Sequence, residues 1–109
     1  MAKIIMQVTG RDGQIDLMND RVVIHRKGIF NMFKYGINAK KEIPIAAISN
    51  INFRDAHVLK FGEIAFDYAG RSHVDEKENA VTFNKKDQHA FFSFKEKVFE
   101  LMAQLSRAK

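Results

Sequence analysis

The last quarter of the chain sets the terms for everything before it. From Asp87 onward, Phe91, Phe94, Val98, Leu101, Met102 and Leu105 recur at intervals of three and four, and neither glycine nor proline interrupts the run. That is the period of an amphipathic α-helix. It is expected over about 87–106, with Asp87 as N-cap and Phe92 and Phe99 widening the stripe. Such a helix cannot stand alone in water and must cover an apolar surface supplied by the rest of the chain. At ~25 cal/mol per Å² of apolar area, burying the stripe contributes several kcal/mol, comparable with the whole stability of a small domain.

The rest of the chain reads with period two, as half-buried strands do. Ile4, Met6 and Val8 alternate with polar or outward positions until Gly10-Arg11-Asp12-Gly13, a tight-turn sequence. Ile15 and Leu17 follow, then Asn19-Asp20 as a two-residue hairpin turn, then Val22 and Ile24. Glu42-Ile43-Pro44-Ile45 carries a proline that confines its strand to a beginning or an edge. Ala47, Ser49, Ile51 and Phe53 are expected on one face of the next strand, with Ile48, Asn50 and Asn52 on the other. Ile64, Phe66 and Tyr68 alternate in turn, and the opposite parity of Phe61 suggests a bulge near Gly62. Gly70 to Glu78 reads as a charged loop, and Val81 and Phe83 point inward from a last strand. The expectation is about seven antiparallel strands between residues 3 and 84, closed by the helix, in one domain spanning 1–109.

A chain of 109 residues with 46% hydrophobic content can bury one core without staples. It has no cysteine, which removes disulfides, thiolate metal sites and a cysteine nucleophile. No signal-peptide or membrane-spanning run is legible, so a soluble, cytoplasmic protein is expected. The net charge of +5 is uneven: 8 basic and 3 acidic side chains in 1–41, 4 and 7 in 42–78, and 6 and 3 in 79–109. Basic surfaces attract phosphate groups, and they also simply keep proteins in solution.

Several stretches together resemble the bacterial pleckstrin-homology-like family. They are Gly13-Gln14-Ile15-Asp16-Leu17 with Asp20-Arg21-Val22-Val23-Ile24 and Arg26-Lys27-Gly28, then Lys41-Glu42-Ile43-Pro44-Ile45 with Ile48-Ser49-Asn50-Ile51. Glu78-Asn79-Ala80-Val81-Thr82-Phe83, followed by Phe91 and Phe94, completes the set, which covers roughly 10–105. The resemblance implies a mainly β split barrel or β-sandwich with one C-terminal helix and a binding or scaffolding role without reaction chemistry. Members of the family often carry a further short module after the helix, whose contribution this chain would supply alone or by self-association. The phosphoinositide-binding pattern of eukaryotic relatives lies between the first two strands, where this chain holds only Arg11 beside Asp12.

The segment from Gly28 to Ile37 is the most unusual connection. Ile29, Phe30, Met32, Phe33 and Tyr35 are large apolar side chains in a loop, and such patches are uncommon on monomers. They are candidates for contact with a protein partner or a second copy, weighed against a helical turn that closes the barrel mouth. Arg26, Lys27, Lys34, Lys40 and Lys41 form a candidate site for an anionic ligand, including an acidic membrane surface.

Other signals read as ordinary structure. Gly10 to Gly13 has the GXXG spacing of a phosphate-clamping loop but lies between strands, and Lys27-Gly28-Ile29-Phe30 lacks the later aromatics of an RNA-recognition strand. Nucleic acid is therefore not an expected partner. His25, His57, His73 and His89 are too dispersed for a metal site. Asp75, Glu76 and Glu78 lack the pattern of a calcium loop. No nucleophile elbow, phosphate loop or dinucleotide fingerprint is present. The expectation is a non-catalytic domain without cofactor or metal that mediates protein interaction, with self-association as one form. Peripheral binding of an anionic ligand and a small phage or host-defence regulator stand as alternatives.

Overall fold

Alternating apolar residues build two antiparallel sheets. The structure, a computed structural model, describes residues 3–26, 40–69 and 79–107, with the backbone alone at Arg26. Strands β1 (Ile4–Thr9), β2 (Gly13–Met18), β3 (Arg21–Arg26) and β4 (Lys40–Pro44) form a four-stranded meander. Strands β5 (Ile48–Arg54), β6 (Gly62–Tyr68) and β7 (Ala80–Phe83) form a three-stranded sheet, and helix α1 (Gln88–Arg107) follows. Among the described residues the protein is thus mainly β, with seven antiparallel strands in two sheets and one C-terminal helix, an arrangement consistent with a pleckstrin-homology-like split barrel or sandwich.

The inward positions meet in one core. Val8, Ile15, Leu17, Val22, Ile24 and Ile43 come from the first sheet, and Ile48, Ile51, Ile64, Phe66, Val81 and Phe83 from the second. Phe91, Phe94 and Val98 of α1 complete it, and the helix packs on β1, β5, β6 and the 3-10 turn Ile45–Ala47. Leu101, Met102 and Leu105 are half-buried along its later turns. The stripe therefore covers the open side of the sheets, as an amphipathic helix must.

Two corners join the sheets. At the first, Pro44 ends β4, an outermost strand where the missing N–H removes no internal ladder bond. The 3-10 turn follows, with Ile45 N–H donating to the Asp20 carbonyl at 2.9 Å. At the second, the β1–β2 turn closes by a bond from Gly10 N–H to the Gly13 carbonyl at 2.7 Å and docks on β7. Arg11 N–H donates to the Thr82 carbonyl at 2.8 Å, and Thr82 N–H donates to Asp12 Oδ1 at 2.9 Å. A side chain at Gly10 would overlap the Thr82 carbonyl oxygen and come within 2.8 Å of Val81 Cγ1, so this close approach requires glycine.

Five local expectations are corrected. Ile4 is exposed, and in β5 Ile48 rather than Ser49 turns inward, because the registers slip between Ile4 and Met6 and between Ile48 and Asn50. Each slip reverses the face of the residues before it. There is no bulge at Gly62: pairing runs regularly there, and Phe61 lies just outside the strand. Asp87 is not an N-cap but the last residue of the 3-10 turn Lys85–Asp87, whose flanking residue Asn84 has the extended backbone. Phe92 and Phe99 stay 38% and 37% exposed, so they do not widen the buried stripe. The charged loop at 70–78 lies outside the described residues.

Candidate interaction surface

The connection between β5 and β6 is a tight hairpin with an uncommon composition at its tip. His57 N–H donates to the Lys60 carbonyl at 2.7 Å and Lys60 N–H to the His57 carbonyl at 3.2 Å, which leaves Val58 and Leu59 at the two corners. Corner positions are usually filled by Gly, Asn, Asp or Pro. Here two apolar side chains occupy them and are 99% and 96% exposed.

Its base is anchored on both sides. Ala56, buried, donates its N–H to Gln88 Oε1 of α1 at 2.7 Å. Phe61 lies beneath the guanidinium of Arg11, 3.5 Å from the ring centre, and its carbonyl accepts from Arg54 Nη2 at 3.2 Å. Arg11 also donates from Nη1 to Thr82 Oγ1 at 3.3 Å. The β1–β2 turn, the end of β7 and the hairpin tip are thereby drawn to one corner. A hollow of about 360 Å³ opens there, lined by His57, Val58, Leu59, Lys60, Phe61, Asn84 and Lys85. Its lining includes two lysines and a histidine and no carboxylate.

A second apolar feature runs along one flank of α1, beside its buried stripe. Phe92 and Phe99, seven residues apart, share a helix face. Phe92 meets Phe53 edge-on at 6.0 Å, and Lys95 lies 4.3 Å from its ring centre. A shallow hollow of about 490 Å³ lies alongside, lined by His89, Phe92, Ser93, Glu96, Lys97 and Glu100.

The sequence-derived candidates are only partly placed. Ile29, Phe30, Met32, Phe33, Tyr35, Lys27 and Lys34 lie outside the described residues. Their segment leaves β3 at Arg26, which pairs with Gly13 at the β1–β2 turn, and returns at Lys40, which pairs with His25. Lys40 and Lys41 are not brought together. Both belong to β4, and alternation sends Lys40 to the outward side with Glu42 while Lys41, on the side of Ile43, lies 5.3 Å from the Tyr68 ring centre.

Sequence reasoning also missed a polar cluster on the outer face of the first sheet. Asp16 is only 7% exposed. Its Oδ1 accepts from Gln7 Nε2 at 2.7 Å and from Gln14 Nε2 at 3.1 Å, and its Oδ2 lies 3.0 Å from His25 Nε2. Its acceptor sites are thus used by neighbours that the strand register supplies, the usual condition for burying a carboxylate. Among the described residues no group of three or more His, Asp or Glu side chains could hold a metal ion, and no helix is long and apolar enough to cross a membrane.

Comparison of the chain with models of protein families, with curated proteins and with solved structures found no match.

Proposed function

We propose that this protein is a non-catalytic binding and scaffolding domain of the bacterial pleckstrin-homology-like kind, working in the cytoplasm through contacts with a protein partner or a second copy of itself. The observation that carries the reading is the pair Phe92 and Phe99. The core is already filled by Phe91, Phe94 and Val98, so two further aromatic rings left more than a third exposed on the flank of the same helix are suited to contact outside the chain. Aromatic side chains bury large area at low entropic cost and are enriched in protein interfaces. The apolar residues Ile29, Phe30, Met32, Phe33 and Tyr35 are proposed as a second part of that contact, since their segment begins and ends at paired strand ends of the first sheet.

Light scattering at known mass tests this reading, on wild type and on Phe99→Asp and Phe33→Asp. A wild-type mass above the monomer that falls in either variant places the interface. Monomers in all three at every concentration remove self-association and leave only a different protein as partner. The alternative of an anionic ligand held by Arg26, Lys27, Lys34, Lys40 and Lys41 has less support, because Lys40 and Lys41 face opposite sides of β4.

A further inference from the structure

We infer that the β5–β6 apex is a membrane-contact point: Val58 and Leu59 enter the interfacial layer of an anionic lipid surface while Lys60 and Lys85 engage its phosphate groups. This goes beyond the protein-contact reading and uses a different part of the molecule. Val58 and Leu59 sit at the outermost corners of a hairpin, almost wholly exposed, on a base fixed by Gln88 and Arg11. A protein partner would need a matching concavity and about 800 Å² of contact per side. Two side chains on a convex apex supply far less than that. A fluid lipid surface asks for no complementary shape, and inserted apolar residues gain from it in proportion to their area.

The charge around the apex favours one lipid class. The adjoining hollow is lined by Lys60, Lys85 and His57 without a carboxylate, and the acidic residues Asp55 and Asp87, close by along the chain, lie outside that lining. A lysine near an anionic leaflet contributes about fivefold in partition, and its effect fades within a Debye length. One apolar anchor and one basic patch together make the two-signal arrangement that gives reversible surface attachment.

The test is sedimentation of the intact protein with phosphatidylcholine vesicles, alone or with added phosphatidylserine. Wild type is expected to pellet with the phosphatidylserine vesicles at low salt and to be released as salt rises. V58S/L59S, altered only where side chains are exposed, is expected to keep its thermal transition and to lose about tenfold in partition. K60E/K85E is expected to lose at least as much.

Several results overturn the inference. They include indifference of wild type to phosphatidylserine, binding by V58S/L59S equal to wild type, or loss on K40E while V58S/L59S binds normally, which moves the contact to β4. Competition by soluble pyrophosphate with no effect of V58S/L59S means phosphate capture instead of lipid insertion. A wild-type oligomer abolished by V58S/L59S, without vesicle binding, makes the apex a contact between copies. Mass and sedimentation are separate readouts, so failure here is distinguishable from failure of the protein-contact reading.

Discussion

Phe83 of β7 and Phe91 of α1 stack with ring centroids 4.5 Å apart and planes 19° apart, both fully buried. This contact ties the helix to the second sheet, and Phe53 extends it with a ring 5.4 Å from Phe83. Phe91→Ala is expected to cost about 3–5 kcal/mol, because it removes a buried ring and leaves a cavity against Phe83. Urea denaturation followed by circular dichroism measures it. A loss under about 1 kcal/mol contradicts the helix as a structural cover.

Gly62 faces the Phe83 ring so closely that an added Cβ would overlap it, with the Arg54 carbonyl oxygen 2.9 Å away on another side. Gly62→Ala must push the ring or part β5 from β6, at about 1–3 kcal/mol. The expected readout is a lower thermal midpoint, which Phe83→Leu in the same chain partly restores.

Arg11 and Phe61 offer a coupling measurement. The guanidinium over the ring is expected to contribute about 0.5–1 kcal/mol, and the bond to Thr82 Oγ1 a further fraction. Arg11→Ala, Phe61→Ala and the double variant form a cycle by chemical denaturation. Strict additivity would mean that the stacked geometry contributes nothing.

Asp16→Ala strips the acceptor shared by Gln7, Gln14 and His25. Gln7 is exposed and Gln14 and His25 are half-buried, so all three can turn to water, and the expected cost is about 1–2 kcal/mol, less than for a fully buried network. For a domain of this size that lowers the thermal midpoint by roughly 4–16 °C in calorimetry. Asp16→Asn keeps an acceptor oxygen for one neighbour and should fall by less.

Period-two patterning located the core wherever the ladder is regular. Ile15, Leu17, Val22, Ile24, Ile64, Phe66, Val81 and Phe83 are all fully buried, as their alternation requires. It failed at Ile4 and Ser49 because a register slip is a property of two paired strands, invisible in either one. The Asp16 cluster was hidden for the same reason: Gln7 and His25 meet it only through pairing with β1 and β3. The apex escaped notice because His57-Val58-Leu59-Lys60 contains none of the residues that usually announce a turn. Two such apolar residues between basic neighbours, just before Phe61-Gly62, were the available signal. The chosen candidate segment at 28–37 lies outside the described residues, so the 55–61 connection enters as a region that the sequence had not singled out.

The docking of the β1–β2 turn on Thr82 has one more consequence. β7 is the outermost strand of its sheet, the margin at which a foreign backbone could be recruited. Thr82 has already committed its outward amide to Asp12 and its carbonyl to Arg11, so a would-be additional strand finds that rung taken. Polymerisation from this margin must first evict the molecule's own turn, and the Asp12 carboxylate serves as a guard against it.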